Sequence, residues 1–415
     1  MGAPQDDARV RALAEELGAQ LRRLKGAGPK LTQFLSMLQL DRAGAVEQSP
    51  GALPEGAHAV PFGRVRRVIE HDLGARMRDV FAEVDEVPFA LASLGQVHRG
   101  RTSDGTDVAI KVQHPGAAEA IDADLRNLGL VGPLVGRLAP AVDTGGLLAE
   151  LRGRVGDELD YEIEAQHQRR VERMFRDHPH VRVPRVHTEL SARRVLVSDY
   201  VDGVRLDDAG RLDDAERDRI GEVAFRFFAG LAWRDGIVAG DPRADNCILG
   251  RDGRLWVLDF GLVRDLDEGY LQGESAVRRA VADEDAQRVC DGLSELGYLP
   301  GTGTLDCAAL LEHFAAAGEW MLARGVRRID PGYVARVLEL GYPPHSPYLA
   351  LMRGLRMPPQ TLLLRRMEVQ LLALLGDLHS AADWGAIAAE HHAGAPASTP
   401  LGREDHALHT RRTRR

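Results

Sequence analysis

Residues 238–261 read VAGDPRADNCILGRDGRLWVLDFG, and the rest of the chain is intelligible as apparatus around them. Asp241 is followed five residues later by Asn246. Two short β-type runs come next, Cys247-Ile248-Leu249 and Leu255-Trp256-Val257-Leu258, joined by Arg251-Asp252-Gly253-Arg254. An Asp-Gly pair between two apolar runs marks a hairpin turn, since Asp bonds its own backbone and Gly tolerates positive φ. The second run ends at Asp259-Phe260-Gly261, so the hairpin is expected to return a carboxylate towards the Asp and Asn that preceded it. Three oxygen-bearing side chains then converge. Such hard donors suit Mg²⁺, which takes one or two carboxylates and accompanies nucleotide phosphates. The rival reading is an ordinary surface hairpin; the Asn spacing and the Asp-Phe-Gly ending together argue against it.

The chain has 415 residues, enough for two or three lobes that each bury a core. A hydrophobic fraction of 44% with 28% charged residues fits a globular protein, and a net charge of −9 gives no case for nucleic-acid binding. Cys247, Cys290 and Cys307 are odd in number, widely spaced and lack a CxxC, so neither a disulfide framework nor a zinc site is expected. No apolar run approaches the roughly 18 residues of a membrane span, and the first residues lack a signal-like apolar stretch. The expected location is cytoplasmic, with at most a peripheral membrane contact. Of 53 basic residues only three are lysine, Lys25, Lys30 and Lys111. A chain that uses Arg almost everywhere has kept Lys where a compact ammonium suits and a guanidinium fork does not.

The helical periodicity of residues 6–25, a second helical run from Pro29 and a Gly/Ala/Pro-rich linker make residues 1–61 an N-terminal extension. Lys30 and Gln33 fall one turn apart on its second helix. Residues 62–201 start with a helix over Phe62–Gly74 and continue with strands over Phe81–Pro88, Gly95–Arg101 and Val108–Gln113. A long helical region follows, and then strands over Val181–His187 and Arg194–Tyr200. Residues 202–392 are mostly helical apart from the central hairpin, and the basic Ala/Pro/Ser/Thr-rich residues 393–415 are expected to be disordered.

Lys111 ends the run Val-Ala-Ile-Lys, which in kinase-like folds aims an ammonium at the α- and β-phosphates and pairs it with a helical Glu. Glu158-Leu159-Asp160-Tyr161-Glu162-Ile163-Glu164-Ala165 offers that carboxylate, because helical spacing puts Glu158 and Glu162 on one face and Asp160 and Glu164 on another. A solvated acidic helix balanced by Arg152, Arg154, Arg169 and Arg170 is the bland alternative. The scarcity of lysine and the downstream motif weigh against it.

From about Lys30 to about residue 380 the chain resembles the AarF/UbiB family of atypical, protein-kinase-like proteins associated with isoprenoid quinone biosynthesis. Lys30-Leu31-Thr32-Gln33 is similar to its Lys-x-Gly-Gln signature. Ala90-Leu91-Ala92-Ser93-Leu94-Gly95-Gln96-Val97-His98 is similar to its alanine-rich loop over the phosphates. Glu158-Leu159-Asp160 matches its Glu-x-Asp motif, Glu164 its helical partner of the strand lysine, and Asp241, Asn246 and Asp259 complete the set. The resemblance implies an α+β, bilobal protein-kinase-like fold, with a small β-sheet lobe, added N-terminal helices and a mostly helical second lobe. It implies ATP and Mg²⁺ as cofactors, Asn246 and Asp259 as metal ligands, and nucleotide contacts from Ala90, Ala92, Ser93 and Lys111. Lys30, Gln33, Glu158 and Asp160 would form a guard over the site. Lys111, Glu164, Asp241 and Arg243 would carry the chemistry, with lipid or quinone biosynthesis proteins or a membrane surface as partners. Two departures stand out. Thr32 replaces a Gly of the signature, and Asp241-Pro242-Arg243-Ala244-Asp245-Asn246 replaces Asp-Pro-His-Pro-Gly-Asn. Arg243 has two readings, a cation for transferred phosphate or a neutraliser of Asp245.

A small-molecule phosphotransferase and an ATP-sensing scaffold without chemistry are the alternatives. Elsewhere Tyr161 is expected to pack, His98 to be a partly exposed sheet residue, Cys247 to be a small buried hydrophobe, and Arg365 and Arg366 to bridge to acidic neighbours. His391-His392 has no partners at metal-ligand spacing.

Overall fold

The computed structural model describes residues 59–92, 94–119, 159–299, 306–341, 347–352, 354–356 and 358–413. Lys30, Gln33, Ser93 and Glu158 lie outside them, as do the expected N-terminal helices and most of the helical region after Gly116. The chain forms two units: one runs to Met174 and adds Val183–Val201 and Asp259–Gly261, and the other comprises Phe175–Arg182, Asp202–Leu258 and everything from Leu262.

In the first unit, helix α1 (Phe62–Leu73) buries Val65, Val68 and Ile69 at i, i+3, i+4 spacing and stops at Gly74, whose φ of 64° favours glycine. A single turn, α2 (Met77–Val80), leads into β1 (Phe81–Val84), β2 (Ala90–Ala92), β3 (Gly95–Thr102) and β4 (Asp107–Gln113). After α3 (Tyr161–Phe175) and β5 (Val181–Arg182), which belongs to the second unit, comes β6 (Val195–Asp199). Strands β1, β3, β4 and β6 lie in that order, with β2 also on β3, and every pairing is antiparallel. The two-residue period of β4 sends Val108, Ile110 and Val112 into a core with α1, Phe81, Val195 and Val197. The same period puts Lys111 on the opposite face. His98 departs from expectation. It is fully buried beside Gln96, its Nδ1 2.7 Å from the Asp85 carbonyl and its Nε2 2.9 Å from the Gln96 amide. Internal hydrogen bonds make such a polar interior tolerable.

The second unit is built on α4 (Asp214–Trp233), capped by Asp213 Oδ1, which accepts from the Glu216 amide at 2.8 Å. Ile220 and the run Val223–Ala232 are buried, with Phe225 against Trp320 and Trp384. Strands β7 (Gly203–Arg205), β9 (Cys247–Gly250) and β10 (Leu255–Val257) join β5 in the order β5-β10-β9-β7. The expected hairpin is present, with Leu255 opposite Leu249 and Val257 opposite Cys247. Strand β8 (Ile237–Ala239) pairs with β11 (Val263–Asp265). Helices α5 (Glu268–Ala282), α6 (Ala286–Glu295), α7 (Cys307–Leu322), α8 (Pro331–Gly341), the short α9 (Leu349–Met352), α10 (Pro359–Asp377) and α11 (Trp384–His392) follow, with the two-residue strands β12 (Arg327–Arg328) and β13 (Ala381–Ala382) paired between them.

Two expectations are overturned here. Cys290 and Cys307 form a disulfide with Cα atoms 5.5 Å apart; α6 and the start of α7 share one apolar cluster, a proximity that spacing alone does not disclose. Residues 400–413 form helix α12 (Pro400–Thr413) in place of a disordered tail. It is held by charge more than by apolar burial. Asp405 is 8% exposed, with its carboxylate 2.9 Å from Arg234 and 3.3 Å from His178, and Glu404 reaches His180 at 2.8 Å. Burial pushes the Asp405 carboxyl up, but the His178 hydrogen bond and Arg234 outweigh it and hold it well below the usual range. Asp405→Asn is expected to cost about 2 kcal/mol in denaturant unfolding, because it removes one member of a buried charge cluster.

His313, His391 and His392 each place a buried ring nitrogen without a partner among the described residues. Burial pushes them down from 6.5 to about 4, about 4 and about 3. Each binds fewer protons folded than unfolded, so their contribution is complete above pH 6.5 and is lost as pH falls towards 4. The thermal midpoint is expected to drop across that window, and replacing His391 and His392 by Asn to flatten the slope.

Candidate functional site

In the first unit, the Lys111 ammonium on β4 lies 2.7 and 2.9 Å from the two Glu164 carboxylate oxygens, and 3.8 Å from Asp259. Glu164 belongs to the first turn of α3 and is 5% exposed. Local bonds fix that turn. Gln113 Nε2 donates to the Leu159 carbonyl at 2.8 Å, the Tyr161 amide to the Arg193 carbonyl at 2.9 Å, and the Glu162 amide to Asp160 Oδ1 at 2.9 Å. Asp160 therefore caps the helix that presents Glu164. Burial alone would push the Lys111 ammonium down, but Glu164 and Asp259 outweigh it and raise it, so it stays charged. Asp259 Oδ1 accepts from the Gly261 amide at 2.9 Å, which orients the carboxylate.

Ala90 and Ala92 sit on β2 opposite Val97 and Gly95 of β3. A Cβ at Gly95 would collide with the Val112 carbonyl and stand 3.0 Å from the Tyr161 hydroxyl, so only glycine fits at this hairpin tip.

The second unit positions Asp241 after β8. Its Oδ2 accepts from the Asn246 amide nitrogen at 3.1 Å and its Oδ1 from Arg366 Nη2 at 2.7 Å. Arg366 also donates to the Gly240 carbonyl at 2.9 Å, and Leu258, at the end of the hairpin, donates to the Asn246 carbonyl at 3.0 Å. Arg243 Nε donates to Asp245 Oδ1 at 2.9 Å, the neutralising arrangement of its two readings. Cys247 is fully buried on β9, as a small hydrophobe would be, and burial pushes its thiol up, which keeps it unreactive.

Two groupings result: Lys111, Glu164, Asp259 and Asp160 in one unit, and Asp241, Arg243 and Asn246 in the other. Arg365 and Arg366 bridge to acidic groups as expected, but that the partner of Arg366 is the candidate carboxylate Asp241 was not foreseen. Arg366 lies 125 residues beyond Asp241, and the only signal was an Arg pair inside the leucine-rich α10. Its neighbour Arg365 bonds the buried Glu274, which also accepts from the Tyr270 and Tyr298 hydroxyls at 2.6 and 2.7 Å. Burial opposes the Glu274 charge, but Arg365 and Arg278 hold its carboxyl low. Removing the Arg366 charge strands a mostly buried carboxylate. Arg366→Gln is expected to lose about 2 kcal/mol, and Asp241→Asn in that background to recover part of it, a non-additivity that denaturant titration of both single variants and the double variant measures.

Residues 52–292 match the ABC1 atypical kinase-like domain. The chain is 31% identical over 313 residues to the mitochondrial atypical kinase coq-8 of Caenorhabditis elegans, covering 73% of this chain and 41% of that protein. It is 30% identical over 352 residues to the mitochondrial atypical kinase COQ8B of Rattus norvegicus, covering 84% of this chain and 66% of the other. The chain thus spans less than two thirds of the length of either relative. Among solved structures it is similar to a Mycobacterium tuberculosis protein in complex with erythromycin, with a TM-score of 0.67, 27% identity, and coverage of 93% of this chain and 98% of that one.

Proposed function

Because the chain belongs to the ABC1 atypical kinase-like family and has its α+β kinase-like fold, we propose that it binds ATP with Mg²⁺ and hydrolyses it or transfers its terminal phosphate, in support of isoprenoid quinone or related lipid metabolism. The observation that carries this reading is the Lys111 ammonium, held charged between Glu164 and Asp259 on the far side of the sheet from the apolar core. A half-buried lysine that only filled space would carry a desolvation cost without a function to show for it.

In this reading Lys111 binds the α- and β-phosphates, and Glu164 keeps its ammonium in place. Asp259 and Asn246, which offer a carboxylate and an amide oxygen, are the residues that would hold Mg²⁺. Their chemistry fits a hard cation, since neither brings sulfur or imidazole, and Asn246 directs its amide nitrogen to Asp241 and keeps its oxygen as acceptor. Mg²⁺, when bound, screens phosphate charge. Asp241, anchored by Arg366, orients the attacking hydroxyl or water and takes its proton. Arg243, bonded to Asp245, tempers the extra negative charge of this loop. By their motifs, Lys30, Gln33, Glu158 and Asp160 are assigned to a guard over the site, and Ala90, Ala92 and Ser93 to the alanine-rich loop over the phosphates.

With Mg²⁺ and ATP the purified protein is expected to release phosphate, and Asp259→Asn to lower the rate by about 100-fold or more, in line with the loss of a charge-stabilising group. Equal rates in the two proteins would overturn the assignment of Asp259. Thermal stabilisation by ATP without phosphate release would favour the scaffold, and unchanged quinone levels after gene deletion would remove the pathway assignment. A small-molecule phosphotransferase is the second reading, favoured by the erythromycin held by the M. tuberculosis relative. ATP-dependent mass gain of erythromycin would decide for it.

A further inference from the structure

We propose that the Tyr161 hydroxyl is a phosphate-binding group, donating to a phosphate oxygen of the nucleotide that Lys111 holds. This rests on the nucleotide reading above and adds a residue to it. Tyr161 opens α3 and is 2% exposed. Its ring packs with Ala165, Val186 and Leu196, as a packing residue should. The hydroxyl does not follow that pattern, since it is buried and has no hydrogen-bond partner among the described residues.

A phenylalanine would fill the same space without that defect. A buried donor with no acceptor costs about 1–3 kcal/mol, and native structures rarely tolerate one without a use for it. Burial raises the phenol above its ordinary range, so it keeps its proton and remains a donor. Its surroundings indicate the missing acceptor. The Lys111 ammonium lies 5.0 Å from the ring centroid, over its face. Two of the three ammonium donors go to the Glu164 oxygens, which leaves one for another acceptor. The phenol feels the charges of Lys111, Glu164 and Asp259, which places its hydroxyl among the groups that would meet a phosphate oxygen.

Gly95 packs beside the hydroxyl: it pairs with Ala92 on the β2–β3 hairpin, and a Cβ there would stand 3.0 Å from the hydroxyl, so bare backbone at this position keeps the space next to the hydroxyl unfilled. A tyrosine donor and a lysine cation on one oxygen anion form a charge-assisted pair of hydrogen bonds, among the stronger polar contacts available to a protein.

The test is Tyr161→Phe in the full chain, which keeps the ring over Lys111 and removes only the hydroxyl. Binding of Mg·ADP and of adenosine is measured by calorimetry, and thermal midpoints are taken without ligand. The expected result is Mg·ADP binding weakened about tenfold, the scale of one hydrogen bond to a charged group. Adenosine binding should be unchanged, and the unliganded midpoint equal or higher. Equal Mg·ADP affinity in the two proteins would overturn the proposal, as would parallel losses for ADP and adenosine. A lower unliganded midpoint would also overturn it, because the hydroxyl would then have a structural partner. If the wild-type protein binds neither ligand, the nucleotide reading itself fails, an outcome distinct from wild-type binding that the variant reproduces.

Discussion

A lysine ammonium whose side chain keeps 19% of its exposure must be neutralised where it stands, and in this protein the neutralising carboxylate comes from a helix 53 residues away. Bringing the buried Glu164 to Lys111 fixes the start of α3 against β4 and β6. The Gln113–Leu159 and Tyr161–Arg193 bonds hold that start in place. Without the pair, either charge alone would be stranded in a poorly solvated position. The pairing therefore dictates a good part of the first unit: a strand whose odd-numbered residues face away from the apolar core, a capped helix, and a glycine where the hairpin tip meets Tyr161.

Within the second unit the corresponding constraint is the carboxylate of Asp241. Two groups converge on its backbone and side chain, the Asn246 amide and Arg366, and a short turn brings Asn246 back within reach. Arg366 lies on a helix whose buried side is mostly leucine but carries a few polar groups near its start. Arg365, Glu368, Arg278, Glu274, Tyr270, Tyr298 and Thr361 form a connected network there. Such a network is tolerable in a low-dielectric interior only when its members are paired, and once paired it specifies a unique packing of α5 against α10.

The chain also shows how charge can replace apolar burial as a structural adhesive. Helix α12 has few apolar residues, yet Asp405, Glu404, His178, His180 and Arg234 tie it down, and Thr399 links its start to Arg226 at 2.9 Å. Composition alone marks such a segment as disordered, because composition counts charges and does not show which of them are paired.

Local order along the chain determined much of what this protein is. The Val-Ala-Ile-Lys run, the Asp-x-x-x-x-Asn spacing, the Asp-Gly hairpin turn and Asp-Phe-Gly are short-range patterns, and the period-2 burial of β4 and the helical spacing of α1 follow directly from them. That is why β4, the β9–β10 hairpin and the Lys111–Glu164 pair were legible in the sequence, and why Asp241, Asn246 and Asp259 stood out as candidates. Tertiary structure alone decided the pairings between distant side chains. It joined Arg366 to Asp241 across 125 residues, Cys290 to Cys307, and Asp405 to His178 across 227 residues. It also buried His98 and left the Tyr161 hydroxyl without a partner among the described residues. The physical reason is the same in each case. Backbone preference acts over a few neighbouring residues, whereas the cost of burying a charge or a donor depends on which other groups the fold brings within about 3 Å.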